Sequence, residues 1–562
     1  MIRSMPRTAA AVLLALTVPM SSSARQVQGS LAEQIDARFE HLTRSSSPGL
    51  AMVVVRNGEV VLRRGYGLAN LEHQIPITPS TVFDIASVSK QFTGLAISIL
   101  VEEGRISLED DVRDYIPELA DFGHTITIDH LVHHTSGIRD WPGTLGVAGW
   151  RMDDVISFDQ ILTFVFNQED LNFVPGAEYT YSNTGFNLLA EVVARATGKS
   201  FRQWTWENLF EPLDMTSTHF HDDHTEVVPN RANGYSRGPG GTWQAVPNGL
   251  TALGSSSLYT SVDDLAKWVM NFDDPRAGSP SALERMKTRG VLNDGSRIGY
   301  AFGVNIGEYR GLPTVSHGGS WAAFRTALIH FPEQDFGIVV LANHTPFDPT
   351  STAFRIADLY LEDELAPEED EPSAAAVEEP SVVPVPISAL EEYVGVYKLG
   401  PAWYVRVTRE EDELHVQATA EDREPMAPRS ESDFWVREYD ASMVFRRSNT
   451  GVVTHLEYRG IEAPKLEDFG PPSPTRLAEF AGEYESTELA TTYQIILEDG
   501  NLFARHRRHG DIGLTHAWKD DFRGSAWFLR SVEFRRDSAG HVVGLLVNAG
   551  ERNRNIRFQK RR

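Results

Sequence analysis

Apolar residues recur along this chain with two different periods, and the places where the period changes outline its parts. Ala51-Met52-Val53-Val54-Val55, Asn57-Gly58 and Val60-Val61-Leu62 predict two strands joined by a tight hairpin turn. From Ser87 onward Phe92, Leu95, Ala96, Ile99 and Leu100 share one helical face, and Gly104 ends the run. Thr326 to Ile329 and Gly337 to Leu341 predict two further strands. Strands at both ends with helices between them predict an α+β domain, an antiparallel sheet flanked by helices.

Glu362 to Pro386 interrupts both periods with clustered acid, several prolines and no aromatic residue. Such a stretch buries too little apolar surface to offset its ordering entropy, so an extended linker is expected. Beyond it the sequence repeats. Leu390, Tyr393, Gly395 and Tyr397 are echoed by Leu477, Phe480, Gly482 and Tyr484. Phe445-Arg446-Arg447 returns as Phe534-Arg535-Arg536, and Leu456 as Leu545. Alternating runs such as Tyr404-Val405-Arg406-Val407 and Tyr493 to Leu497, split by turns such as Asp499-Gly500, predict two small antiparallel β-barrel modules. The expected division is a signal peptide over 1–24, the α+β domain over 28–361, the linker over 362–387, and barrels over 388–462 and 475–562.

With 562 residues the chain exceeds one compact core. Its 52 basic and 78 acidic residues give a net charge of −26. That balance speaks against nucleic acid or an anionic membrane surface as the main partner, though not against a local cationic pocket. The absence of cysteine excludes disulfides, thiolate metal sites and a lipidated N-terminal cysteine. Arg3 and Arg7, the apolar run Ala9 to Met20, and Ser21-Ser22-Ser23-Ala24 have the order of a secretory signal peptide. The run is shorter than the roughly 20 residues a membrane span needs. A periplasmic or secreted protein without membrane insertion is expected.

Three motifs carry candidate chemistry. In Ser87-Val88-Ser89-Lys90, helical spacing puts the hydroxyl and the amine on one face, at a helix start where free N–H groups favour developing negative charge. A neighbouring base is what makes a serine nucleophilic, and burial lowers a lysine pKa toward that role. Tyr181-Ser182-Asn183 lies between the Val174-Pro175-Gly176 turn and a helical face of Phe186, Leu188, Leu189, Val192 and Val193. A phenol there can shuttle a proton, and an amide can bind a substrate carbonyl. In His317-Gly318-Gly319-Ser320 the glycines admit close approach of backbone or ligand. The N–H groups of Ser320 and Ser87 are candidate oxyanion donors. Each motif alone also has a plain reading: a surface helix start, an aromatic plug with a capping asparagine, a strand edge.

Together and in this order, the three motifs resemble the serine β-lactamase and penicillin-binding protein superfamily, above all its class C-like branch of esterases and D-aminopeptidases. The resemblance runs from about Leu31 to Asn343 and takes in Ile128 to Ile138, with His134-Thr135-Ser136-Gly137, as well as Phe210 to Thr216 and Gly254 to Trp268. It implies a serine hydrolase in which Ser87 forms an acyl-enzyme that water then cleaves. Lys90 and Tyr181 would share the acid–base work, in an order the sequence leaves open. Asn183, His317, Gly319 and Ser320 would bind substrate, and neither cofactor nor metal is implied. Members that recognise penicillins usually have lysine at the position of His317 and threonine or serine at that of Gly318. The expected substrate is therefore a small D-amino-acid amide, short peptide or ester rather than a β-lactam. A penicillin-interacting carboxypeptidase or β-lactamase, and an acylated sensor without turnover, are the alternatives. The tail is similar in architecture to that of bacterial D-aminopeptidases, in which a tail loop reaches the active-site mouth. No loop in Ser388 to Arg562 is recognisable as its counterpart, and homodimerisation through the tail stays open.

The remaining polar clusters have bland readings. His219, His221 and His224 around Asp222-Asp223 have metal-ligand composition but lie in a polar loop, and the implied mechanism needs no metal. His130, His133 and His134 are assigned to packing and capping, and Arg505 to His509 to a solvated strand face.

Overall fold

A computed structural model describes residues 30–44, 46–367, 383–419 and 421–561. The expected signal peptide and most of the expected linker lie outside the described residues. Strands β1 (Leu50–Arg56) and β2 (Glu59–Tyr66) form the hairpin. Asn57 and Gly58 have φ of 53° and 70°, the left-handed geometry that matches a two-residue turn to strand twist. Four strands follow much later: β3 (Asn305–Tyr309), β4 (Leu312–Trp321), β5 (Phe324–Phe331) and β6 (Phe336–Ala342). The sheet order is β3-β4-β5-β6-β1-β2, antiparallel throughout.

Alternate residues of these strands enter two different cores. Met52, Val54, Ile338 and Val340 pack with Ile35 and Phe39 of α1 (Leu31–Arg44). Ala51, Val53, Val339 and Leu341 face the larger core, which contains Phe92 and Leu95 of α2 (Lys90–Glu102). With both faces covered, β1 reads as an unbroken apolar run. Helix α2 was expected to bury one face, yet every residue from Lys90 to Leu100 is buried. Helix α3 (Asn183–Thr197) and the helix Pro280–Met286 pack against it as well. The consequence is chemical: Lys90 is drawn fully inside.

Residues 395–466 and 482–560 each form a closed eight-stranded antiparallel barrel, preceded by the short helices Ile387–Tyr393 and Pro474–Phe480. The echoed residues are the barrel plugs. Tyr397 Oη donates to the Tyr393 carbonyl and Tyr484 Oη to the Phe480 carbonyl, each at 2.7 Å. Tyr393 stacks on Phe445 and Phe480 on Phe534. Lys465 and Lys560 donate to the carbonyls of Glu392 and Glu479. Gly395 and Gly482 take φ of 156° and 149°, a backbone conformation that residues with a Cβ rarely adopt, which favours glycine at both places. Two expected boundaries move. Leu361 and Leu365 are buried in the α1 core, so the first domain runs past Glu362. Strand Ile461–Leu466 closes the first barrel, so that module extends beyond 462. Among the described residues no helix is long and apolar enough to cross a membrane.

The second barrel packs on the α+β domain. Arg139 and Glu488 form an ion pair with side chains only 1% and 3% exposed. Tyr493 Oη donates to the Val147 carbonyl at 3.1 Å. Arg508 Nη2 donates to both oxygens of Asp154 at 2.8 Å, and His509 Nε2 lies 3.0 Å from the Gly146 carbonyl. The end of the basic run, Arg508 and His509, is therefore interface, whereas Arg505 and Arg507 are exposed, as expected of a solvated strand face. The acidic partner of Arg508 is remote in sequence and gave no local signal.

Candidate active site

The segment that bears Ser87 is held from below. Phe83-Asp84 pairs with Thr260-Tyr259, and Asp84 Oδ1 accepts the Ala86 N–H at 2.8 Å. Ala86 takes a φ of 49°, a left-handed conformation unusual for a residue with a Cβ and typical of constrained functional turns. Ser87 then sits in the tight turn Ala86–Ser89 that feeds α2. Gly319 of β4 crosses directly over this turn: a Cβ there would lie 2.4 Å from the Ile85 carbonyl oxygen. Gly318, by contrast, has only ordinary contacts.

Lys90 Nζ lies 3.2 Å from Ser87 Oγ, 2.8 Å from Asn183 Oδ1 and 2.7 Å from the Ser255 carbonyl. Burial pushes the amine well below the ordinary lysine pKa; the charge of Asp140 opposes this and that of Arg552 adds to it. A neutral amine gives its two N–H groups to the two carbonyl acceptors. Its lone pair then faces the serine hydroxyl. Asn183, expected to orient substrate, lines the cavity and is also engaged by the protein. Its N–H donates to Asp140 Oδ1 at 2.8 Å and its Nδ2 to Asp140 Oδ2 at 3.1 Å, which turns Oδ1 toward Lys90.

The Tyr181 side chain shares the cavity wall with Ser87, and burial raises its pKa far above the ordinary phenol value, with Ser87 a smaller opposing influence. The phenol stays protonated. Its ring has Lys90 Nζ 4.9 Å and Arg552 Cζ 4.8 Å from its centroid, and His134 stacks on it at 4.3 Å. His134 has the packing role expected, and His130 Nδ1 caps its helix by accepting the Thr127 N–H. His317 is pushed down to about 3, first by burial and then by Lys90, so the imidazole is neutral. Its Nδ1 is 2.6 Å from the Gly318 carbonyl, which can only accept, so Nδ1 carries the hydrogen. Nε2 then accepts from Tyr300 Oη at 3.0 Å. Both nitrogens are occupied within the protein, and His317 forms a wall.

Ser87, Tyr181, Asn183, His317, Gly319 and Ser320 all line one cavity of about 540 Å³, with Lys90 directly beneath. Three further functional candidates escaped the sequence reading: Asp140, Tyr300 and Arg552. Arg552 comes from the second barrel. Its carbonyl accepts the Asp140 N–H at 3.0 Å and its guanidinium, half exposed, lies 3.5 Å from Asp140 Oδ2. One signal was available: Leu456 and Leu545 keep the repeat spacing, but the next equivalent pair, Lys465 and Lys560, stands farther apart. The extra residues form the loop that carries Arg552.

A helix-flanked antiparallel sheet with serine and lysine one turn apart at the start of its central helix defines the serine β-lactamase and transpeptidase-like fold. Residues 35–361, more than half of the chain, match the family described as Beta-lactamase, and the protein belongs to it. Residues 379–468 match a domain of unknown function, DUF3471. A D-aminopeptidase of Gluconobacter oxydans is 28% identical over 320 residues, 56% of this chain and 60% of that protein. The protein called flp of Staphylococcus aureus is 31% identical over 327 residues, 55% of this chain and 62% of that protein. The chain thus spans less than two thirds of the length of these relatives. Among solved structures, an octameric penicillin-binding protein homologue from Pyrococcus abyssi aligns with a TM-score of 0.55 at 22% identity, over 85% of this chain and 98% of that one. A D-amino acid amidase from Ochrobactrum anthropi aligns with a TM-score of 0.51 at 20% identity, over 59% of this chain and 98% of that one. These last two likenesses concern the fold.

Proposed function

We propose that the protein is an exported serine hydrolase that forms an acyl-enzyme on Ser87 and cleaves an amide or ester, with small D-amino-acid amides and peptides as the leading substrate class. The observation that carries this is the buried Lys90 amine, 3.2 Å from Ser87 Oγ and held by two carbonyl acceptors. Ser87 Oγ attacks the substrate carbonyl as its proton passes to neutral Lys90, and the N–H groups of Ser87 and Ser320 receive the oxyanion. The Tyr181 phenol protonates the departing nitrogen or oxygen and regains a proton from the Lys90 ammonium. Water then attacks the acyl ester by the same relay, releasing the acid and restoring the Ser87 hydroxyl. The high pKa of Tyr181 and the low one of Lys90 favour the amine as first base, the point the motifs alone leave open.

A second reading draws on the cavity's charge. Arg552 and Arg325 both line it, in a protein of net charge −26. They suit a substrate with a carboxylate near the scissile bond, as a carboxypeptidase would take. The test is parallel turnover of D-alanine p-nitroanilide, p-nitrophenyl acetate, a D-alanyl-D-alanine peptide and nitrocefin by wild type and Ser87→Ala. The variant is expected to lose about 10⁴-fold or more in kcat. Fluorophosphonate labelling of Ser87→Ala at the wild-type rate would remove Ser87 from the mechanism.

A further inference from the structure

Away from the active site, one side-chain cluster has metal-ligand spacing as well as composition. His219 and Phe220 pair with Tyr259 and Leu258. His221 follows directly, and side chains two apart on an extended chain share a face. His219 Nε2 and His221 Nδ1 are 3.3 Å apart. That is the edge of a tetrahedron with metal–nitrogen bonds of about 2.0–2.1 Å. Glu226 Oε2, from the turn that follows, is 3.8 Å from His221 Nδ1. One ligand atom from each of the three residues lies within 4.8 Å of the other two.

The surroundings fit the same purpose. Arg202 Nη1 and Nη2 grip the two Glu226 oxygens at 2.6 and 2.9 Å, as outer hydrogen bonds orient a ligating carboxylate. Tyr259 covers the imidazoles, with its centroid 4.6 Å from the His221 ring and 6.0 Å from the His219 ring. His224, which the sequence groups with them, is exposed, and Glu226 takes its place.

We propose that His219, His221 and Glu226 bind one divalent transition-metal ion of the zinc type, with a fourth position left to water. Nitrogen and carboxylate donors in this number select zinc-like ions over magnesium or calcium, which need more oxygens. The ion would be structural. It would tie the turn bearing Glu226 to the strand holding Tyr259, whose pairing partner Asp84 supports the Ala86 N–H beside the nucleophile.

The full chain, stripped with chelator, is titrated with Zn²⁺ by calorimetry and with Co²⁺ by visible absorption. The expected result is one equivalent bound, an intense tetrahedral Co²⁺ band and a rise in Tm with Zn²⁺. His219→Ala and Glu226→Gln should each weaken binding by about tenfold or more. Far-UV circular dichroism checks their folding, and Glu226→Gln decides the matter if His219→Ala is unfolded. Absence of stoichiometric binding of either ion, or undiminished affinity in the folded variants, overturns the proposal.

Discussion

In the first barrel the final hairpin turns through Arg459-Gly460, with Tyr458 paired to Ile461. In the second, the matching strands pair at Val547 and Ile556 and enclose the longer loop that lays Arg552 into the cavity. A second difference lies inside the shared register. Tyr397 pairs with Val405 in the first barrel, and Tyr484 with Tyr493 in the second. The extra phenol reaches the Val147 carbonyl of the α+β domain. The plugs repeat because each barrel must close the same way, through one tyrosine, one lysine and one glycine. Outward residues answer to whatever lies opposite. The first barrel meets its sibling, with Tyr404 Oη donating to Asp521 at 2.8 Å. The second meets the catalytic cavity, and it braces Asp140, Asn183 and through them Lys90.

Breaking the buried contact between the second barrel and the α+β domain should therefore hurt far more than breaking an exposed ion pair within the first barrel. Glu488→Ala leaves the Arg139 guanidinium buried without its carboxylate and should cost about 3 kcal/mol or more, seen as a fall in Tm. Glu392→Ala removes the partner of Arg447 in the first barrel, where the glutamate is 52% exposed, and should cost at most about 1 kcal/mol. Equal losses would mean that the buried pair adds nothing beyond a surface one.

Local patterning made the fold legible, and the candidate residues Ser87, Lys90 and Tyr181 with it. Asn57-Gly58, the two-period strands and the repeated plugs are all short-range signals. Ser87 and Lys90 were visible because one helical turn fixes their distance, whatever the rest of the chain does. Asp140 and Tyr300 were not, since an aspartate before a tryptophan and one buried tyrosine look like any others until tertiary contacts aim them. The link from Asn183 to Lys90 was hidden for the same reason: its amide is turned by Asp140, a partner brought near only by folding. Arg508 and His509 looked solvated because Asp154 and Gly146 are distant in sequence.

The loop difference also bears on substrate. Arg552→Gln keeps the backbone carbonyl that anchors Asp140 and the Nδ2 of Asn172, so the loop should hold its place. It removes the guanidinium. With a substrate that bears a carboxylate beside the scissile bond, kcat/KM should fall by about tenfold to a hundredfold, mostly through KM. A neutral ester such as p-nitrophenyl acetate should lose little, and Arg459→Gln in the first barrel should change neither. Equal losses on charged and neutral substrates would assign Arg552 to positioning Asp140 rather than to binding an anion.

The smallest effect is the most diagnostic, because it reads the base itself. Lys90 accepts a proton only when neutral, so kcat/KM should fall on the acid side as the amine becomes protonated. Burial is the main cause of its low pKa, and the Arg552 cation lowers it further. Arg552→Gln removes that repulsion and makes protonation easier. The acid limb should then move to higher pH, by about one unit or less, with a neutral substrate used so that no substrate charge titrates. Arg459→Gln should leave the limb where it is. A limb that moves to lower pH in Arg552→Gln, or fails to move, would show that the group controlling the acid side is not an amine facing that guanidinium.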